Sequence, residues 1–297
     1  MATPRLVIVH RHTEFQELIE RHATPGQAEF FLRTRGRSLH QVQQRHDVIT
    51  AALDRVRAAV PPEWRHAEVE RTDLSRFMFT HDDLIAVVGQ DGLVANTAKY
   101  LNGQPVLGID PEPGVNAGVL VRHSPKSAAA LLVKIAGTGP AGTACQELAM
   151  VTARLDDGQE LSALNEIFIG HPSHQSARYQ ITTPDGRVES QSSSGLIIST
   201  GTGATGWCAS IARERGGRAL PSPTEPLLAW FVREAWPSPA TGAELTEGTL
   251  GAGEPLRISA ASDQLVVFGD GMEGDRLTAS WGQEITVQLG TRPLRLV

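Results

Sequence analysis

The sequence predicts an N-terminal α/β domain followed by a β-rich domain, and three observations lead there. The chain has 297 residues, and a domain takes roughly 100–200. Short β-branched runs at 6–9, 84–88 and 105–109 alternate with stretches of helical pattern, the signature of an α/β unit. From about residue 125 the texture changes to short alternating runs separated by the hairpin signals Asp156-Asp157-Gly158 and Pro184-Asp185-Gly186. The expected domains are therefore 1–124 and 125–297.

Taken in order, residues 6–9 suit a buried parallel strand. Residues 12–80 hold little glycine and read as helices. In one of them Ile49, Leu53, Val56 and Val60 recur at helical spacing before Pro61-Pro62 stops the run. Residues 84–88 and 105–109 are two further strands, with a helix-like stretch at 94–101 between them. In the second half, 195–200 reads as a strand entering a glycine-rich turn, and 256–259, 264–268 and 284–289 read as late strands.

Hydrophobic residues make up 40% of the chain and charged residues 20%, enough apolar material for a core and too little charge for disorder. The formal net charge is -6, so neither a nucleic-acid coat nor a binder of anionic membranes is expected. Cys145 and Cys208 are the two cysteines, too few for a disulfide framework. The N-terminal apolar run soon meets His10, Arg11 and His12, which is too short and polar for a signal peptide. No stretch approaches the ~18–20 apolar residues of a membrane span. A cytoplasmic globular protein is the expectation.

Four stretches can carry chemistry. Val87-Val88-Gly89-Gln90-Asp91-Gly92-Leu93 is a strand ending in glycines ahead of a helix, a setting in which backbone N–H groups and the helix dipole bind phosphate. Asp91 would sit beside the anion, where a carboxylate can orient a hydroxyl or take its proton; an ordinary Asp-Gly turn explains the same residues. Asn165-Glu166 is a polar pair inside an apolar run, able to bind ribose hydroxyls or to be a buried hydrogen-bonded pair. Ser199-Thr200-Gly201-Thr202-Gly203-Ala204-Thr205-Gly206-Trp207 satisfies G-x-G-x-x-G, but no β-branched strand ending in an acid follows about 20 residues later, so a Rossmann site is rejected. Its interleaved hydroxyls suit close polar contact with a nucleotide. Phe268-Gly269-Asp270-Gly271-Met272 reads, alone, as a hairpin turn.

In this order and spacing the four stretches, with Pro105 to Asp110, resemble the NAD kinase family. That family carries Gly-Gly-Asp-Gly-Thr, Pro-Val-Leu-Gly-Ile-Asn, Asn-Glu, Thr-Pro-Thr-Gly-Ser-Thr-Ala-Tyr and a late Asp-Gly-Gln. The resemblance runs from about residue 84 to the C-terminus. It implies an α/β domain and a β-rich domain with the site in the inter-domain cleft, and ATP-dependent phosphorylation of the adenosine-ribose 2′-hydroxyl of NAD. By resemblance Asp91 is the catalytic acid/base or orienting group, and Gly89 and Gly92 admit phosphates. Asn165 and Glu166 bind NAD, and Thr200, Thr202, Gly203 and Thr205 line the dinucleotide site. Mg2+ or another divalent cation accompanies ATP, and the chain forms a homodimer or homotetramer.

The chain departs from the family pattern at motif positions. Gln90 stands for a glycine, Leu93 for a threonine, the segment 110–114 for Asn-Thr-Gly, Trp207 for a tyrosine and Met272 for a glutamine. These departures keep open a different acceptor, sugar or nucleotide, and a catalytically silent NAD- or nucleotide-binding protein. His171 and His174 lack a third ligand at metal spacing and read as a loop feature. Arg213, Arg215 and Arg218 read as a solvated helix end.

Overall fold

The computed structural model describes residues 3–115 and 118–297. Met1 and Ala2, part of the stretch read for a leader, lie outside it. The chain divides into two compact units, 1–97 with 104–145 and 295–297, and 98–103 with 146–294.

The first unit begins with β1 (Arg5–His10), then α1 (Glu14–His22), α2 (Pro25–Arg33) and α3 (Leu39–Ala58). It continues through β2 (Arg65–Glu70), β3 (Asp83–Val88), α4 (Asp91–Ala98), β4 (Pro105–Ile109) and α5 (Pro125–Thr138). Strands β2, β1, β3 and β4 lie side by side in that order, all parallel. β3 and β4 are buried along their whole length, which is why they read as unbroken apolar runs. Leu53 and Val56 of α3 and Leu132 and Ile135 of α5 pack over Leu6, Ile8, Leu84, Leu107 and Ile109. Those contacts keep α5 in the first unit, although the texture change places the boundary at its start.

The helical expectation for 12–80 holds for α1 to α3 and needs one correction: residues 65–70 are the strand β2. Its sequence, Arg-His-Ala-Glu-Val-Glu, is largely exposed and buries Val69 alone. It is an edge strand with charged side chains, so it has no β-branched run to announce it. α1 opens with a capping box in which Thr13 and Gln16 exchange hydrogen bonds. Thr24 followed by Pro25 opens α2. The helices α1 to α3 share a small cluster of Leu18, Ala28, Leu32 and Val42.

The second unit holds β5 (Gln146–Leu148), β6 (Val151–Leu155), β7 (Glu160–Ala163), β8 (Glu166–Gly170), β9 (Ala177–Thr182), β10 (Val188–Ser193) and β11 (Leu196–Ser199). These are followed by α6 (Trp207–Glu214), β12 (Leu228–Val232), β13 (Glu247–Leu250), β14 (Leu256–Ala260), β15 (Leu265–Gly269), β16 (Met272–Ala279) and β17 (Glu284–Leu289). A last strand, β18 (Leu294–Leu296), pairs parallel to β4 through Arg295 and Leu296 in the first unit. One antiparallel sheet runs β10-β9-β14-β17-β6-β7 and the other β13-β12-β11-β8-β15-β16. Alternate residues of both sheets, among them Ala153, Ile181, Ile258 and Val287 against Ile167, Ile198, Trp230 and Val267, form one core between them. α6 covers the outer face of the second sheet through Cys208, Ile211 and Ala212 on Ile197, Ala229 and Phe231.

One buried ion pair anchors the parallel sheet. Asp83 has no solvent exposure and takes Arg5 at 2.6 and 2.8 Å and the Thr80 N–H at 2.7 Å. Burial pushes its carboxyl up, but Arg5 and Thr80 outweigh that and hold it below the usual carboxylate range. Arg5→Met leaves this carboxylate buried without its cation and should cost about 3 kcal/mol at pH 7. Because the wild-type carboxyl is depressed, the pair stabilises above the unfolded value and loses this as pH falls. Urea melts of both proteins should therefore differ widely at pH 7 and converge below about pH 4.

Candidate active site

Antiparallel register brings three of the four sequence stretches to one end of the second sheet. β8 begins at Glu166, which pairs with Ser199, the last residue of β11. On its other side Ile167 pairs with Gly269, the last residue of β15. Asn165-Glu166, the threonine-rich turn after β11 and the Asp270-Gly271 turn after β15 are thus neighbours.

The Asp270-Gly271 turn is a hairpin between β15 and β16, with positive φ at both central residues, 54° and 67°, as a type I′ turn requires. It is also a clamp. The Asp270 carboxylate accepts the N–H groups of Leu164 and Asn165 at 2.7 Å each and of Glu166 at 3.3 Å. The carbonyls of the same segment are taken by the threonine-rich turn. The Thr200 N–H donates to Asn165 O at 2.9 Å and the Thr200 hydroxyl to Leu164 O at 2.5 Å. Ser199 Oγ also donates to Asn165 O, at 3.2 Å. The backbone of 164–166 is therefore satisfied on both sides, which fixes where the side chains of Asn165 and Glu166 point.

Among the described residues no hydrogen bond or ion pair engages the Asn165 amide or the Glu166 carboxylate; the bonds there use the backbone N–H groups. The Thr202 hydroxyl oxygen is buried and has no hydrogen-bond partner. A buried polar atom without a partner is expensive, so the Thr202 hydroxyl, next to the half-buried side chains of Asn165 and Glu166 on a saturated backbone, is suited to meet a polar ligand. Burial, and then the Asp270 charge, push the Glu166 carboxyl up to about 7. Burial raises Asp270 to about 6, against the three N–H groups and Lys99, which favour its charge.

The glycines of the turn serve close packing. A Cβ on Gly203 would lie 2.3 Å from Asn165 O, and one on Gly201 1.9 Å from Ser222 O. Thr205 is exposed. Trp207, 40% exposed, lies nearly parallel to Phe168 at 5.9 Å, with the Arg233 guanidinium 4.7 Å from its ring centre.

In the first unit β1 lies between β2 and β3, so the chain switches sides there. In open parallel sheets ligands bind beyond the carboxyl ends of the strands at such a point. Gly89 to Gly92 leave the carboxyl end of β3, and Asp91 is the first residue of α4. Its carboxylate accepts the N–H groups of Val119, Leu120 and Val121 at 2.7, 2.9 and 3.0 Å. Gly92 has open space where a Cβ would be, whereas that of Gly89 is filled by Leu93 Cδ2 at 2.9 Å. Gln90 is exposed.

Of the residues expected from the sequence, Asn165 and Glu166 carry half-buried side chains on a fixed backbone, Thr202 a buried hydroxyl, Gly92 open space and Asp91 a carboxylate bonded to the 119–121 amides. Thr200 and Gly203 belong to the framework itself. Sequence reading missed Asp270 as more than a turn residue, and it missed Lys99, Tyr100 and Asp275 beside it. Lys99 Nζ donates to Asp275 at 2.8 Å and to Gly269 O at 3.2 Å, and the Tyr100 hydroxyl donates to Asp275 at 2.6 Å. His171 Nδ1 accepts the Ser173 N–H at 3.2 Å, and no described group of three His, Cys, Asp or Glu residues can hold a metal ion. Arg215 donates to the carbonyls of Thr246 and Val232 and so ties the end of α6 to the sheet.

No family model matches the chain. It is 26% identical to mitochondrial NAD kinase 2 of Rattus norvegicus over 77% of this chain and 73% of the relative. It is 28% identical to an NAD kinase of Chlorobaculum tepidum over 46% of each. The yeast NADH kinase solved with NADH superposes with a TM-score of 0.61 over the whole of this chain and 84% of that one, at 17% identity. The chain is NAD kinase-like. The fold expected from the resemblance, an α/β part followed by antiparallel β-sheets, is present. The chain spans 58% of human mitochondrial NAD kinase 2, to which it is 26% identical over 70% of its own length.

The paired carboxylates of this NAD kinase-like chain give a direct test. Asp270→Asn removes the charge that disfavours ionised Glu166, so the Glu166 titration should move down from about 7, remaining above the ordinary glutamate range because burial persists. Side-chain carboxyl NMR across pH 4–9 reads this midpoint; an unmoved midpoint contradicts the pairing.

Proposed function

We propose that the chain is an ATP-dependent phosphotransferase that phosphorylates the adenosine-ribose 2′-hydroxyl of NAD to give NADP. The observation that carries this is the fixed Asn165-Glu166 segment, whose side chains and the neighbouring Thr202 hydroxyl make no hydrogen bond among the described residues. The names of the curated relatives, NAD kinases, support it.

In this reading Asn165, Glu166 and Thr202 bind NAD, the Glu166 carboxylate accepting ribose hydroxyls. Asp91 serves the 2′-hydroxyl. A carboxylate offers about four acceptor positions, and three are taken by the 119–121 amides. One remains, which suits Asp91 to orient the hydroxyl and accept its proton as the oxygen attacks the γ-phosphorus. The new P–O bond forms as the bond to the β,γ-bridging oxygen breaks, and ADP leaves with that electron pair. Mg2+ arrives with ATP as part of the substrate and neutralises charge on the transferring group. We further propose a cytoplasmic homo-oligomer. No described helix is long and apolar enough to cross a membrane, while the rat and human relatives are named mitochondrial.

Asp91→Asn should lower kcat by at least about a hundredfold with NAD still bound. The amide oxygen at the Oδ1 position retains the Leu120 and Val121 bonds, so only the Val119 bond is lost, at about 1–2 kcal/mol. Near-wild-type turnover refutes the role of Asp91. Incubation with ATP, Mg2+ and a panel of NAD, NADH, sugars and nucleosides decides the acceptor. NADP as the dominant product is expected, and a different sole product favours the reading motivated by Gln90 and Leu93. Ionised Glu166 accepts ribose hydroxyls more strongly than the protonated acid, so NAD affinity should rise as pH increases through about 7. Calorimetric titration from pH 5.5 to 8.5 reads this, and Glu166→Gln should abolish the dependence.

A further inference from the structure

Burying a lysine ammonium is costly unless it is paired and hydrogen-bonded, and the Lys99 side chain is 2% exposed. It lies in the segment 98–103, which packs with the second unit although the chain on either side of it belongs to the first. Its ammonium bonds the Asp275 carboxylate at 2.8 Å and the Gly269 carbonyl, one residue before Asp270, at 3.2 Å. Tyr100 adds a second donor to Asp275 at 2.6 Å. Asp275 follows Asp270 by five residues on β16. The two arms of the β15–β16 hairpin are therefore tied together by one buried cation below the turn that carries Asp270. Asp270 in turn holds the amides of Leu164, Asn165 and Glu166.

We propose that Lys99, with Asp275 and Tyr100, is a positioning residue for the NAD-binding pair: it holds the Asp270 turn, and the turn holds Asn165 and Glu166. The proposal rests on the NAD kinase-like reading for its ligand, and on geometry alone for the clamp. Among the described residues Lys99 bonds Gly269 and Asp275 and neither Asn165 nor Glu166, so it acts through Asp270. Its charge also favours ionised Asp270. The titratable groups that bear on the pair are Asp270 and Glu166 themselves, Lys99, Asp275 and Tyr100 beside the turn, and Cys208 from α6, whose thiol feels the Glu166 charge. Removal of the cation should thus move the protonation of the pair to higher pH.

The test compares Lys99→Met, Lys99→Arg and Asp275→Asn with wild type by amide hydrogen exchange at 164–166 and by steady-state kinetics with NAD and MgATP. In Lys99→Met the three amides should exchange roughly tenfold faster or more. The KM for NAD should rise about tenfold with kcat changed less than about threefold, and the acid limb of kcat/KM should move to higher pH. Lys99→Arg, which keeps charge and donors, should restore all three. A folded Lys99→Met with unchanged exchange at 164–166 overturns the proposal. If that variant does not fold, Asp275→Asn is read by the same criteria, and unchanged exchange there overturns it equally. Wild-type protein that turns over no NAD, while the amides of the variant still lose protection, sinks the NAD kinase-like reading and leaves the clamp standing.

Discussion

Three backbone N–H groups converging on the Asp270 carboxylate are the constraint from which the site in the second unit follows. An aspartate at positive φ is uncommon and costs free energy. The hairpin tolerates it because the same side chain satisfies the amides of 164–166, groups that would otherwise lie at a strand entrance without partners. The carbonyls of that segment meet the Thr200 backbone and hydroxyl. With donors and acceptors of the main chain spent internally, the side chains at 165 and 166 are the groups left to meet a ligand.

The same arrangement sets the electrostatics. Two carboxylates are held close in a poorly hydrated corner, and both are pushed up toward neutrality, Glu166 further than Asp270. Asp270 has amides and Lys99 to stabilise its charge, and Glu166 has none of these. The difference separates a structural carboxylate, whose charge the framework favours against burial, from one left to exchange partners with ligand and solvent. In the first unit Asp91 combines both kinds of duty: it pins the 119–121 loop with three bonds and retains one acceptor position.

Legibility in the sequence followed burial and chemistry. β3 and β4, buried on both faces, announce themselves as β-branched runs, and the hairpins at 158 and 186 announce themselves through glycines that adopt positive φ. β2 escaped because an edge strand of charged residues carries neither periodicity nor β-branching. α5 begins at the position where the change to short alternating runs sets the expected boundary, while its packing partners lie in the first unit. Asn165, Glu166 and the threonine-rich turn were legible through residue type and order. Their division of labour was not: Thr200 spends its hydroxyl inside the turn and Thr202 does not, a distinction made by register alone. Lys99 and Asp275, separated by nearly the whole β-rich unit in sequence, had no local signal at all.

The most direct measurement is a crystal structure of the chain grown with NAD. Density for the dinucleotide should contact the Asn165 amide, the Glu166 carboxylate and the Thr202 hydroxyl, with the 164–166 amides still bonded to Asp270. Dinucleotide bound instead in the groove of about 720 Å³ lined by Arg187, Arg218 and Arg257, with those three side chains untouched, would contradict it.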